Sequence, residues 1–169
     1  MRVPLLSLSL AVALAGPLGA CSKPPRQSDE AAIAQVEAAQ KERAPVRPIT
    51  PQPILYPDIT KAKLLDAGCA FVADGGGMGA VFMGQGDRGA IKLADAIVIL
   101  AADKGSARLP QTAWSRYSGR DYALTLTRID GSDAKTQGTV ESFAGQLVIT
   151  DPDDRPVYSA HGTVQCRPG

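Results

Sequence analysis

From Ile54 onward, apolar and polar residues take turns along the chain. In Asp121–Arg128, Tyr122, Leu124 and Leu126 fall on one side, and Ala123, Thr125 and Thr127 on the other. In Val157–Cys166, Tyr158, Ala160, Val164 and Cys166 share one face; Ser159, His161, Thr163 and Gln165 share the opposite one. A period of two is the signature of a strand with one buried and one wet face. Further strands are expected at Cys69–Ala73, Ala80–Met83, Ala90–Leu93, Ala96–Ala101 and Ser142–Thr150. Turn chemistry separates them: Gly75-Gly76-Gly77, Gly86-Asp87-Arg88-Gly89, Asp130-Gly131 and Asp151-Pro152-Asp153-Asp154. Pro57-Asp58 starts a short helix through Leu64-Leu65, ended near Gly68. Short strands joined by short turns predict a mainly β domain over residues 54–169, a small antiparallel barrel or sandwich of about seven strands. About 115 residues suffice for one modest core.

The first twenty residues follow another pattern. Arg2 is followed by Val3–Leu18, a run of Leu, Ala, Val, Ser, Gly and Pro that suits a signal peptide and is short and broken for a membrane span. It ends in Leu18-Gly19-Ala20-Cys21, which resembles the lipobox of bacterial lipoproteins. The resemblance implies removal of residues 1–20, a diacylglyceryl thioether on Cys21 and acylation of the new amine with a fatty acid such as palmitate. Two or three acyl chains anchor a protein stably, one only marginally. Ser22 stands where an aspartate often retains lipoproteins at the inner membrane, so the resemblance implies an outer-membrane anchor with the domain facing the periplasm.

Residues 21–53 read as a tether. Ser28 caps a weak, Ala-rich helix through Arg43, with Asp29 and Glu30 in its first turn and Ile33 and Val36 on its apolar side. Pro45, Pro48, Pro51 and Pro53 then exclude helix and suit an extended spacer. Three readings stay open: a stalk on the order of 50–100 Å long, disordered filler, or a partner helix.

Composition narrows the function. Arg2 is the sole charged residue before Cys21, so a chain starting there carries seventeen basic and seventeen acidic side chains. That balance argues against nucleic acid, which rewards a basic excess. Of three cysteines, Cys21 has its own explanation; Cys69 and Cys166 remain as a disulfide pair or as two buried thiols.

Chemistry-bearing patterns are sparse. Gly84-Gln85-Gly86-Asp87-Arg88-Gly89 matches G-x-G-x-x-G, with Asp103 about twenty residues on. The stretch lacks room for the helix that a dinucleotide fingerprint needs, so a hairpin turn is expected and no nucleotide. His161, with Ser159 and Asp153 nearby, lacks a presenting turn and oxyanion donors and reads as an exposed strand histidine. Asp151, Asp153 and Asp154 lack the spacing of a calcium loop. One histidine and two pairable cysteines leave no zinc set. The expectation is therefore a protein without metal, cofactor or catalytic residues. Trp114, Tyr117 and Tyr122, with Arg116, Arg120 and Arg128, form the densest aromatic and arginine stretch, a composition enriched at binding hot spots.

Roughly from Cys69 to Arg128 the chain also resembles the membrane-bound inhibitors of C-type lysozyme, small outer-membrane lipoproteins with a compact β-barrel and a stabilising disulfide. The resemblance rests on an early strand cysteine, the loop Gly105-Ser106-Ala107-Arg108, and Tyr117-Ser118-Gly119-Arg120 ahead of a strand. It implies a loop serine, with Ser106 the nearest match, entering a hydrolase cleft. The order Gly105-Ser106 is the reverse of the family's, Leu109 replaces its tyrosine, no lysine matches its second contact, and Thr139–Cys166 adds a hairpin. The expectation is a lipid-anchored β-domain that binds a periplasmic protein or cell-wall polymer, such as a hydrolase, through Ser106, Trp114, Tyr117 and Arg120. The alternative is a structural or assembly lipoprotein acting through its tether helix.

Overall fold

The computed structural model describes residues 26–41 and 45–169; in the first stretch, side chains are described for residues 30–39. The chain divides into two compact units, Met1–Ala44 and Pro45–Gly169. The expected signal peptide and Cys21 lie outside the described residues.

In the first unit, α1 spans Arg26–Lys41. It starts two residues before the expected cap at Ser28; Glu42 and Arg43 lie outside the described residues. Ile33 and Val36, three positions apart on one helix face, are both more than half exposed.

The second unit is mainly β, as the alternation requires. Its elements are α2 (Tyr56–Ala62), β1 (Gly68–Ala73), β2 (Phe82–Gln85), β3 (Arg88–Leu93), β4 (Ala96–Ala102), β5 (Arg116–Ser118), β6 (Ala123–Arg128), β7 (Lys135–Gln137), β8 (Val140–Thr150) and β9 (Pro156–Arg167). Antiparallel neighbours run β6-β5-β4-β3-β2-β1-β9-β8, and β6 pairs back onto β8, closing an eight-stranded barrel. Strand β7 is additional and pairs with the first part of β8. Closure removes most sheet edges. Every anticipated strand is present, with ends moved by one or two residues. Strands β5 and β7, three residues each, are too short to show a period.

The interior is a packed core. Alternate residues point inward: Phe71 from β1, Phe82 from β2, Ile91 from β3, Leu100 from β4, Leu124 and Leu126 from β6, Leu147 and Ile149 from β8, Val164 from β9. Across β1 and β9, Cys69 lies opposite Cys166, and the two form a disulfide. The bond links residues 97 positions apart; in the chain-entropy model such a loop closure contributes about 4–5 kcal/mol.

The folded unit begins earlier than the expected boundary at residue 54. Between the prolines, the N–H groups of Ile49, Gln52 and Ile54 donate to the carbonyls of Val157 (3.0 Å), Lys92 (2.8 Å) and Ala80 (2.8 Å). Prolines lack that donor, so the residues between them do the docking, and Pro51 is buried. The proline run thus lies along the barrel instead of serving wholly as a spacer.

Helix α2 leads to a second, smaller core on the barrel's outer wall. Leu55 N–H donates to the Asp58 carboxylate at 3.0 Å, capping the first turn. The helix stops earlier than Leu64-Leu65 because Lys63 turns left-handed (φ 54°), and Leu64 N–H then donates back to the Ile59 carbonyl at 2.9 Å. That turn buries Leu64 completely, together with Ile54, against Met83 of β2 and Ala90 of β3.

Candidate functional site

The six residues Gly84–Gly89 form the β2–β3 hairpin, as the rejection of a dinucleotide loop requires. Its glycines make room for aromatic rings. Gly84 and Gly89 face each other. A Cβ on Gly84 would lie 2.7 Å from Tyr117 Oη, and one on Gly89 2.7 Å from Phe82 Cε2. Into that space fits Tyr117, edge-on to Phe82 with ring centroids 5.2 Å apart. Its hydroxyl donates to the Gln85 carbonyl at 2.9 Å and accepts from Trp114 N–H at 2.9 Å. Burial pushes its pKa up to about 12, against a smaller opposing effect from the Trp114 hydrogen bond.

The expected contact residues therefore separate. Tyr117 is fully buried and offers no contact surface. Trp114 is half-buried; its Nε1 donates to the Gly86 carbonyl at 3.0 Å, and Arg108 stacks on its ring at 5.2 Å. Ser106 is tied into its own loop, its hydroxyl donating to the Asp103 carbonyl and accepting from Arg116 N–H. Arg120, with its side chain 94% exposed, sits at the tip of the β5–β6 hairpin beside Asp121. The aromatic and arginine grouping misleads at Tyr117: three residues of β5 give no period, and the small partners that accept the ring come from two other strands.

The remaining candidates also separate. On the wet face of β9, Ser159 receives a hydrogen bond from Gln146 at 3.3 Å, and His161 lies opposite Gln146. Asp153 is at the β8–β9 turn, where it pairs with Arg155 at 3.3 Å. Asp151 anchors that turn. Burial alone would raise its carboxyl pKa, but hydrogen bonds from Arg155 and Asp153 and the Arg155 charge outweigh burial and hold it below the usual range. Among the described residues, no three of His, Cys, Asp and Glu converge as a metal site. No described helix is long and apolar enough to cross a membrane.

A recess of the described surface lies elsewhere, on the outer wall between α2 and the β3–β4 hairpin. It has a volume of about 470 Å³. Ala62, Ala96, Ile97 and Ile99 supply apolar walls; Asp58, Lys61, Arg88 and Asp95 supply charge. Each charge but Lys61 is held in place. Asp58 pairs with Lys92 at 2.9 Å. That hydrogen bond, with one from Leu55 N–H, keeps the Asp58 carboxyl below the usual range despite partial burial. Arg88 donates to the Lys63 carbonyl at 2.8 Å and to Gln85 Oε1 at 3.3 Å. Asp95 is braced by Gln52 through both its N–H and its carboxylate. Two left-handed residues, Ala94 (φ 46°) and Asp95 (φ 62°), turn the β3–β4 hairpin in the type I′ manner. No sequence signal pointed to this recess: its residues come from three elements, and the turn at Ala94-Asp95 lacks the usual glycine. Comparison of the chain with protein-family models, curated proteins and solved structures finds no match.

Proposed function

We propose that this is a lipid-anchored envelope protein whose barrel is a non-catalytic binding domain, and that it meets its partner, a periplasmic protein or cell-wall polymer, on the outer wall. The observation that carries the binding surface is the contrast between a barrel interior filled by Phe71, Phe82 and Tyr117 and an outer recess of about 470 Å³ with apolar walls and a charged rim. A filled barrel leaves its exterior for recognition. The anchor rests on Leu18-Gly19-Ala20-Cys21, and an outer-membrane address on Ser22.

The test joins both parts. Mass spectrometry of the native protein is expected to find Cys21 as the amino terminus carrying fatty acid, and Cys21→Ser is expected to release the protein from membranes. A photo-crosslinking residue in place of Lys61 is expected to capture one defined envelope component, while the same residue in place of Gln146 on the β8–β9 face does not. A native protein that keeps Met1 and carries no fatty acid overturns the anchor. Equal labelling at both positions overturns the outer-wall surface.

One observation favours a second reading. Ile33 and Val36 are exposed together on α1, the arrangement of a helix that docks into a partner's groove. On that reading, deleting Ser28–Arg43 abolishes function while the barrel stays folded.

A further inference from the structure

The barrel closes thinly between β4 and β5, which pair at two positions, Ala101 with Ser118 and Ala102 with Tyr117. Hydrogen-bond direction alternates along an antiparallel strand. Ala102 N–H donates to the Asp87 carbonyl on the β3 side, and Asp103 N–H donates to the Arg116 carbonyl on the β5 side. Ala101, Ile99 and Ile97 therefore turn their backbone N–H and C=O toward β5. Strand β5 serves Ala101 and then ends. Among the described residues, the backbone groups of Ile97 and Ile99 have no partner on that side. The same two residues point their side chains outward: Ile97 against the outer core and Ile99, 47% exposed, along the recess. Backbone groups without a strand partner and outward apolar side chains thus coincide at i and i+2, with Ile97 partly buried and Ile99 exposed.

Elsewhere on the same wall, the protein covers a comparable edge itself. Strand β2 begins at Phe82, opposite Ile91, and leaves the end of β3 without a strand neighbour. The extended segment Gln52–Ile54 fills that place, with Gln52 N–H donating to the Lys92 carbonyl and Ile54 N–H to the Ala80 carbonyl. Nothing of this kind covers β4 among the described residues.

We infer that the Ala96–Ile99 edge of β4 is a docking site for an extended segment of a partner polypeptide, which adds as a strand and lays alternate apolar side chains over Ile97 and Ile99 into the recess beside α2. Only a peptide backbone supplies donors and acceptors at the strand repeat. The open stretch is four residues, about 13 Å. It ends at the β5–β6 hairpin tip, where Gly119 sits beside Leu100 and the Ile99 carbonyl. A four-residue opening bounded at one end by that tip matches one short extended segment. The inference rests on the reading of the outer wall as the binding surface and names the class of partner.

The test uses full-length protein in detergent micelles and a blocked peptide, acetyl-Lys-Ile-Thr-Ile-Thr-Ile-Lys-amide. Its copy N-methylated at the isoleucines keeps the side chains but loses the edge hydrogen bonds. The parent peptide is expected to shift the amide resonances of Ile97 and Ile99 and slow their hydrogen exchange, and the methylated copy to leave both unchanged. Ile99→Pro removes an edge donor without removing a bond to β3, and is expected to weaken binding by up to about tenfold. Ile99→Lys, which keeps the backbone, covers the case in which the proline variant fails to fold; it is expected to weaken binding as well.

Equal binding of the methylated peptide would overturn the inference in favour of a side-chain pocket. Absence of any effect at Ile97 and Ile99 would overturn it outright. Protection of those amides that grows with protein concentration, without peptide, would replace the partner by a second copy of the chain. Crosslinking at Lys61 that survives Ile99→Pro undiminished would sink the edge while leaving the binding-domain proposal standing.

Discussion

The barrel interior and the outer wall are both hydrophobic cores, but they are built on different logic. Inside, large residues fill a closed volume and glycines cut the space for them: Tyr117 and Phe82 pack where Gly84 and Gly89 leave no Cβ. Outside, a seven-residue helix and a proline-spaced strap cover one patch, and the uncovered remainder forms the recess. The interior tolerates little change, because any added atom meets a ring or another strand. The outer wall is assembled from separate pieces, the strap and α2 laid on β2 and β3. Such a division suits a scaffold that holds a surface for recognition.

The largest expected effect tests the closed interior. Replacing Cys69 and Cys166 by alanine should cost up to about 4–5 kcal/mol, since the bond closes a loop across nearly the whole barrel. Urea unfolding of the variant and the oxidised protein measures the difference, and a loss below about 1 kcal/mol would show that pairing of β1 with β9 holds the barrel alone.

Next, two leucines set the regions against each other. Leu147→Ala inside and Leu64→Ala outside both empty fully buried sites, each in the range of about 2–5 kcal/mol. The interior change should lower the stability of every strand. The outer change should fall at the low end and raise hydrogen exchange in residues 56–64 first. Uniform exchange in both variants would merge the two cores into one cooperative unit.

Alkali should act on the interior. Tyr117 ionises near 10 in an unfolded chain and at about 12 in the fold. Its contribution is complete below pH 10 and is lost as pH rises toward 12. Tyr117→Phe removes that dependence, together with the hydroxyl's bonds to Gln85 and Trp114. Stability measured from pH 9 to 12 in both proteins should diverge below pH 10 and converge above it.

Acid should act on the outer wall, with the smallest effect. The Asp58 carboxyl is held below its ordinary value by Lys92 and Leu55. Its contribution is complete above the unfolded value near 4 and fades as pH falls through the lowered folded one. Hydrogen exchange of Ile59 and Leu64 should rise at pH 3 in the native protein, and already at neutral pH in Asp58→Asn, while β8 and β9 stay protected.

Much of the barrel was legible because its strands alternate. Leu124 and Leu126 face in, as do Val164 and Cys166, and the polar residues between them face water. Setting Cys21 aside left Cys69 and Cys166 as a disulfide pair or two buried thiols, and the structure shows the bond. The site was not legible. The aromatic and arginine stretch joined residues that the fold separates, sending Tyr117 inward and Arg120 to a tip. The recess joins Asp58, Arg88 and Ile99, which no spacing connects. Likewise, proline spacing announced an extended segment but not that Ile49, Gln52 and Ile54 fasten it to the wall.

Local rules acting on this amino-acid order determined the β class, the strands long enough to show a period and the main turns. They did so because backbone geometry makes side chains point alternately and makes glycine, proline and aspartate turn the chain. Tertiary structure alone decided ring closure, the meeting of Cys69 with Cys166, the place of Tyr117 among distant glycines, the cover supplied by α2, and the edge at Ile97 and Ile99 that no described residue pairs. These depend on where strands end relative to neighbours far away in the chain, and such distances are set by packing in three dimensions.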